Sequence, residues 1–83
     1  MNPALKISVF HDTFHAKQRS GERAISLEAM KDVVKYPTQR EQQWRGPNGG
    51  FVYKFTKRTG RDTLVVVAEV KKSECWLIAA FKL

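Results

Sequence analysis

At Pro37 the hydrophobic period of this chain changes from helical to two, and that change limits what it can fold into. Before Pro37, Leu27, Met30, Val33 and Val34 recur at helical spacing, while Glu28, Lys31, Asp32 and Lys35 mostly occupy the other face. After it, apolar and polar residues alternate, and three turn signals break the run. These are Gly46-Pro47-Asn48-Gly49-Gly50, Thr59-Gly60-Arg61-Asp62 and Lys71-Lys72-Ser73-Glu74. Helix first and hairpin-linked strands afterwards define an α+β chain.

The segments follow from this punctuation. Leu5–Val9 alternates as a short strand does. Asp12 or Thr13 can cap a first helix running to about Glu22, weakened near its end by Gly21. Ser26 caps a second helix, with Glu28 in its first turn, and Pro37 ends it. Strands are expected over Gln39–Arg45, from Phe51, over Thr63–Val70 and over Cys75–Phe81. The expected architecture is one domain, residues 1–83. Two N-terminal helices pack on one face of a four-stranded antiparallel meander, with an extra N-terminal strand as an addition. Phe51 and Phe55 fit the core face beneath the helices; Trp44, beside Arg45, fits core or surface.

The chain is short, at 83 residues, and buries only roughly 60–65% of its unfolded surface. Its single cysteine, Cys75, excludes an intrachain disulfide and a thiol-rich zinc site, and sits in an apolar run that suits a core position. The His11/His15 pair has no acidic or cysteine cluster beside it, so no metal or other cofactor is expected. Met1–Lys6 lacks the apolar run of a signal peptide. Leu64–Ala68 and Cys75–Phe81 are too short to span a bilayer, so a cytoplasmic protein without membrane contact is expected.

Charge points to a polyanion. The net charge is +7, of which residues 1–37 carry six Lys/Arg against four Asp/Glu and residues 38–83 nine against four. His15, Arg19 and Arg23 stand four apart in the expected first helix, in one stripe opposite Phe14, Gly21 and Ile25. An imidazole and two guanidiniums in a row suit a phosphodiester. Lys54, Lys57, Arg58 and Arg61 surround the second hairpin, with Arg40 and Arg45 on the strand before it and Trp44, Tyr53 and Phe55 between. Aromatic and basic residues interleaved on a sheet form a platform for single-stranded RNA.

Metal-free RNA cleavage needs a base, an acid and cations. The base takes the 2′-OH proton, the acid protonates the leaving oxygen, and the cations stabilise the phosphorane. His15 can transfer protons, with Arg19, Arg23 and Lys54 on the phosphate. The second proton-transfer group is open among Tyr53, Lys54 and His11. Arg45, Tyr53, Lys57, Arg58 and Arg61 are the candidate RNA-binding residues.

The run Phe14-His15-Ala16, then Arg19, then Glu22-Arg23-Ala24-Ile25-Ser26-Leu27-Glu28 resembles the opening motif of a widespread family of short bacterial and phage proteins. That family is similar in turn to the BrnT and RelE-like toxins, in the barnase, colicin and RelE-like nuclease group. Pro37, the Gly-rich hairpin and Thr63–Val67 before a last apolar strand also fit its layout, so the resemblance spans residues 13–81. It implies a RelE/barnase-like helix-then-sheet fold, an RNA target and an acidic antitoxin or immunity protein over the basic cleft. It supports His15, Arg19 and Arg23 as site members. Ala24 departs from the family's usual glycine. Toxins close to RelE often lack a catalytic histidine and act in the ribosome, so His15 is left as chemical or only binding. The expected function is a metal-independent endoribonuclease toxin. The alternatives are a non-catalytic RNA- or ribosome-binding module, or a phage protein that binds an acidic host protein.

Overall fold

The computed structural model describes residues 6–12 and 25–83. These form five strands and one helix: β1 (Val9–Asp12), α1 (Leu27–Lys35), β2 (Gln39–Arg45), β3 (Phe51–Thr59), β4 (Asp62–Lys71) and β5 (Glu74–Lys82). The strands make one sheet in the order β1-β5-β4-β3-β2. β2 to β5 pair antiparallel through successive hairpins, and β1 joins the far edge parallel to β5.

This corrects the expected architecture. The protein is mostly β, with one short helix among the described residues and a mixed five-stranded sheet in place of two helices on an antiparallel meander. The expected first helix, with His15, Arg19 and Arg23, lies outside the described residues. The N-terminal strand starts at Val9, where the Leu5–Val9 alternation ends. Its place is fixed by a remote partner. Val9–Asp12 matches Glu74–Leu77, and the amides of Ser8 and Val9 donate to Ser73 O at 2.8 and 3.2 Å. A parallel partner that far along the chain leaves no turn signal in the sequence.

The helix forms where its spacing places it. Ser26 is the N-cap, its hydroxyl accepting from Ala29 N at 3.1 Å, which contributes about 1 kcal/mol. Met30, Val33 and Val34 turn inward onto one sheet face. There they join Phe55, Val66, Ala68, Cys75, Leu77 and Ala80 in a single core, which Phe10, Leu64 and Tyr53 extend. Strand alternation places the odd-numbered residues of β3 and the even-numbered residues of β4 on this first face. Val52, Lys54, Thr56 and Arg58 of β3, and Val65, Val67, Glu69 and Lys71 of β4, belong to the second face. The described residues place no helix on that second face.

Cys75 is buried, and burial pushes its thiol from an ordinary 9.0 up to about 12. The raised value favours the protonated folded state. Its stabilising contribution is therefore complete below the unfolded thiol's value and is lost as pH rises towards 12. Unfolding free energy should fall on the order of 1 kcal/mol per pH unit more steeply in the wild type than in Cys75→Ala above pH ~9. Denaturant titrations at several alkaline pH values check this, and parallel slopes would contradict it. In native buffer at neutral pH the thiol should resist iodoacetamide.

Candidate nucleic-acid interface

The basic residues singled out from the sequence divide between the two sheet faces, because neighbouring strand residues point oppositely. Tyr53 and Lys57 lie on the helix side. The Lys57 ammonium pairs with the Asp32 carboxylate on α1 and sits 5.9 Å from the Tyr36 ring. The Arg40 guanidinium lies 5.6 Å over Tyr53, and the Arg45 guanidinium 5.1 Å over Phe51. Each cation on this rim already has an aromatic or carboxylate partner within the protein. A base stacking on Tyr53 or Phe51 would have to displace a guanidinium.

Lys54 and Arg58 lie on the second face, away from α1. The Lys54 ammonium is 3.9 Å from the Glu41 carboxylate, a half-exposed pair that contributes little. Arg58 is exposed, its backbone N–H donating to Thr38 Oγ1 at 3.1 Å. Arg61 is exposed in the β3–β4 turn, next to Gly60, whose φ of +62° lets two residues close the hairpin. The structure thus separates Lys54 and Arg58 from Tyr53, Lys57 and Arg45.

The second face also gathers residues that the sequence left aside. Exposed Lys71 follows Glu69 on β4, and half-buried Trp76 is opposite Glu69 on β5. His11 of β1 comes next in the row. Its ring stacks on Trp76, with centroids 4.9 Å apart and planes 14° apart, and its Nε2 lies 3.0 Å from Glu74 Oε1. Only the parallel β1–β5 pairing brings His11, Glu74 and Trp76 together.

Glu69 is fully buried, and the sequence reading did not single it out. Its Oε2 accepts from Asn48 N at 2.9 Å and Gly50 N at 2.8 Å, and its Oε1 accepts from Asn48 Nδ2 at 2.9 Å. The carboxylate pins the β2–β3 loop to the second face. A Cβ on Gly46 would stand 2.1 Å from Glu69 Cδ, and one on Gly50 2.3 Å from Val70 O, so both glycines are required by close approach. One acidic residue inside the apolar run Leu64–Val70 was the available signal.

No group of three or more His, Cys, Asp or Glu among the described residues is placed to hold a metal ion. No helix among them is long and apolar enough to cross a membrane. Comparison of the chain with protein-family models, curated proteins and solved structures gives no match.

Proposed function

We propose that the protein acts on RNA, as a metal-independent endoribonuclease of the toxin kind whose strand lies across the second sheet face. The observation that carries this reading is the company on that face: Lys71 diagonal to half-buried Trp76, with Lys54 and Arg58 farther along the same face on β3. Cations spread along one sheet face with an aromatic ring meet the two demands of a single strand, its phosphates and its bases. The net charge of +7 adds long-range attraction. His15, Arg19 and Arg23 supply proton transfer and phosphate contacts in this reading. An acidic antitoxin or immunity protein would compete for the same cations.

Binding is tested by salt titration. Counterion release gives a slope of about 0.7 per phosphate contacted on a single strand. The double variant Lys54→Ala/Arg58→Ala should flatten the slope by about 1.4, while Lys57→Ala/Arg45→Ala on the helix side should change it much less. An affinity independent of salt would sink the RNA reading. Cleavage is tested on a mixed RNA pool, with and without ribosomes and with chelator. His15→Ala should cut the rate by roughly a hundredfold or more with binding nearly intact, and chelator should change nothing. A wild type that binds RNA and never cuts it would leave only the binding function.

A further inference from the structure

We propose that Asn48 is a self-modification site, its side-chain amide converted to a carboxylate by ring closure with the Gly49 nitrogen, at a rate that Glu69 governs. The sequence narrows this chemistry to one position. An asparagine side chain closes on the next backbone nitrogen most readily when that residue is glycine, which has no Cβ to block the approach. The chain has two asparagines. Asn2 precedes Pro3, whose nitrogen carries no hydrogen to give up. Asn48 precedes Gly49, and no aspartate precedes a glycine.

The structure exposes both reacting groups and restrains both. Pro47, Asn48 and Gly49 are exposed in the β2–β3 loop, so water reaches the amide. Asn48 Nδ2 donates to Glu69 Oε1 at 2.9 Å, and Asn48 N donates to Glu69 Oε2 at 2.9 Å. Two bonds to one buried carboxylate hold the side chain towards the sheet. The attacking nitrogen is held more loosely: Gly49 N–H donates to Gly46 O at 3.3 Å, whereas Gly46 N–H donates to Gly50 O at 2.9 Å. Ring closure therefore waits on a local opening that frees Asn48 from Glu69. Its rate is the population of that opening times the rate of the free Asn-Gly pair.

The step balances with water as the one co-reactant. A solvent base takes the Gly49 amide proton, and the nitrogen bonds to Asn48 Cγ. The Cγ–Nδ2 bond breaks, and Nδ2 takes a proton from solvent and leaves as ammonia. Water then adds to either carbonyl carbon of the five-membered ring, and the bond from that carbon to the Gly49 nitrogen breaks. Opening at Cγ gives aspartate. Opening at the backbone carbonyl gives isoaspartate, with the main chain rerouted through the side chain. Either product puts a carboxylate, which only accepts, where a donor met Glu69 Oε1. Two carboxylates then face each other at a buried position, and the loop that Glu69 pins is released. Loss of ammonia makes the change one-way.

The experiment incubates the chain at mildly alkaline pH, in native buffer and in urea. Peptide mass follows Asn48, an isoaspartyl methyltransferase labels the isomer, and melting curves report the fold of each variant. In native buffer the wild type should convert at least roughly tenfold more slowly than in urea. Glu69→Gln in native buffer should convert roughly fivefold faster than the wild type, and Glu69→Ala faster still. Ala29→Gly, which weakens α1 and leaves the loop alone, should convert at the wild-type rate. Asn48→Asp carries the product from the start and should melt roughly ten degrees below the wild type. Equal wild-type rates in the two media would overturn the proposal, as would equal rates in the wild type and Glu69→Gln. Acceleration in Ala29→Gly to match Glu69→Gln would show that global unfolding, and not Glu69, sets the rate. Wild-type melting in Asn48→Asp would show that the product leaves the loop pinned. An Asn48 that keeps its amide even in urea would remove the site altogether.

Discussion

Val33→Asp unfolds the domain. Val33 is buried in the face that α1 turns to the sheet, with fully buried Met30 and Val34, in the same core as Phe55, Val66 and Leu77. An aspartate there places a carboxylate among the apolar side chains of the core. An unpaired buried charge costs several kcal/mol, and the lost valine contacts add about 1 more. The whole stability of an 83-residue domain is about 4–12 kcal/mol, so the variant should populate unfolded chain at room temperature. Circular dichroism should show the strand signal lost and no cooperative melt. Glu28→Gln, on the exposed face of the same helix, should melt within about two degrees of the wild type. A native spectrum and melt for Val33→Asp would remove α1 from the core and with it the account of the first sheet face.

That variant can be chosen from the sequence because α1 declares itself locally. The apolar spacing from Leu27 to Val34, the Ser26 cap and the stop at Pro37 lie within about a dozen residues, and the structure keeps all three. The strands of the meander are legible for the same reason. Gly46–Gly50, Gly60-Arg61 and Lys72-Ser73 mark their ends, and β2 to β5 begin and end within a residue or so of the turns. β1 was not legible in place, because what fixes Val9–Asp12 is an edge of β5 more than sixty residues away. The site suffered from a different gap. Lys54, Lys57, Arg58 and Arg61 look like one cluster on paper, yet the odd step from Lys54 to Lys57 sends the two ammoniums to opposite faces. Strand period alone would have separated them. The His11–Glu74–Trp76 group was beyond reach until the parallel pairing was known, since Glu74 reads as a turn residue.

Glu69→Ala should destabilise the fold by about 3 kcal/mol while Glu69→Gln costs about 1. The alanine leaves the amides of Asn48 and Gly50 and the Asn48 side chain without their acceptor, and each orphaned buried donor costs about 1 kcal/mol or more. It also removes side-chain volume beside Val52 and Trp76, its register neighbours on the second face. The glutamine can keep most of the network. Its carbonyl oxygen takes the Oε2 position and accepts from both backbone amides. Its NH₂ then meets Asn48, whose amide can turn to offer Oδ1 in place of Nδ2. That exchange needs the Asn48 side chain, so Asn48→Ala should cost the glutamine variant more than it costs a chain already carrying Glu69→Ala. Gly46→Ala should resemble Glu69→Ala, since its Cβ occupies the carboxylate's place 2.1 Å from Cδ. Urea titrations of the single and double variants give the differences directly. If Glu69→Ala melts like the wild type, the carboxylate does not pin the β2–β3 loop. If the alanine and glutamine variants lose equal stability, the negative charge, and not the acceptor geometry, holds the loop down.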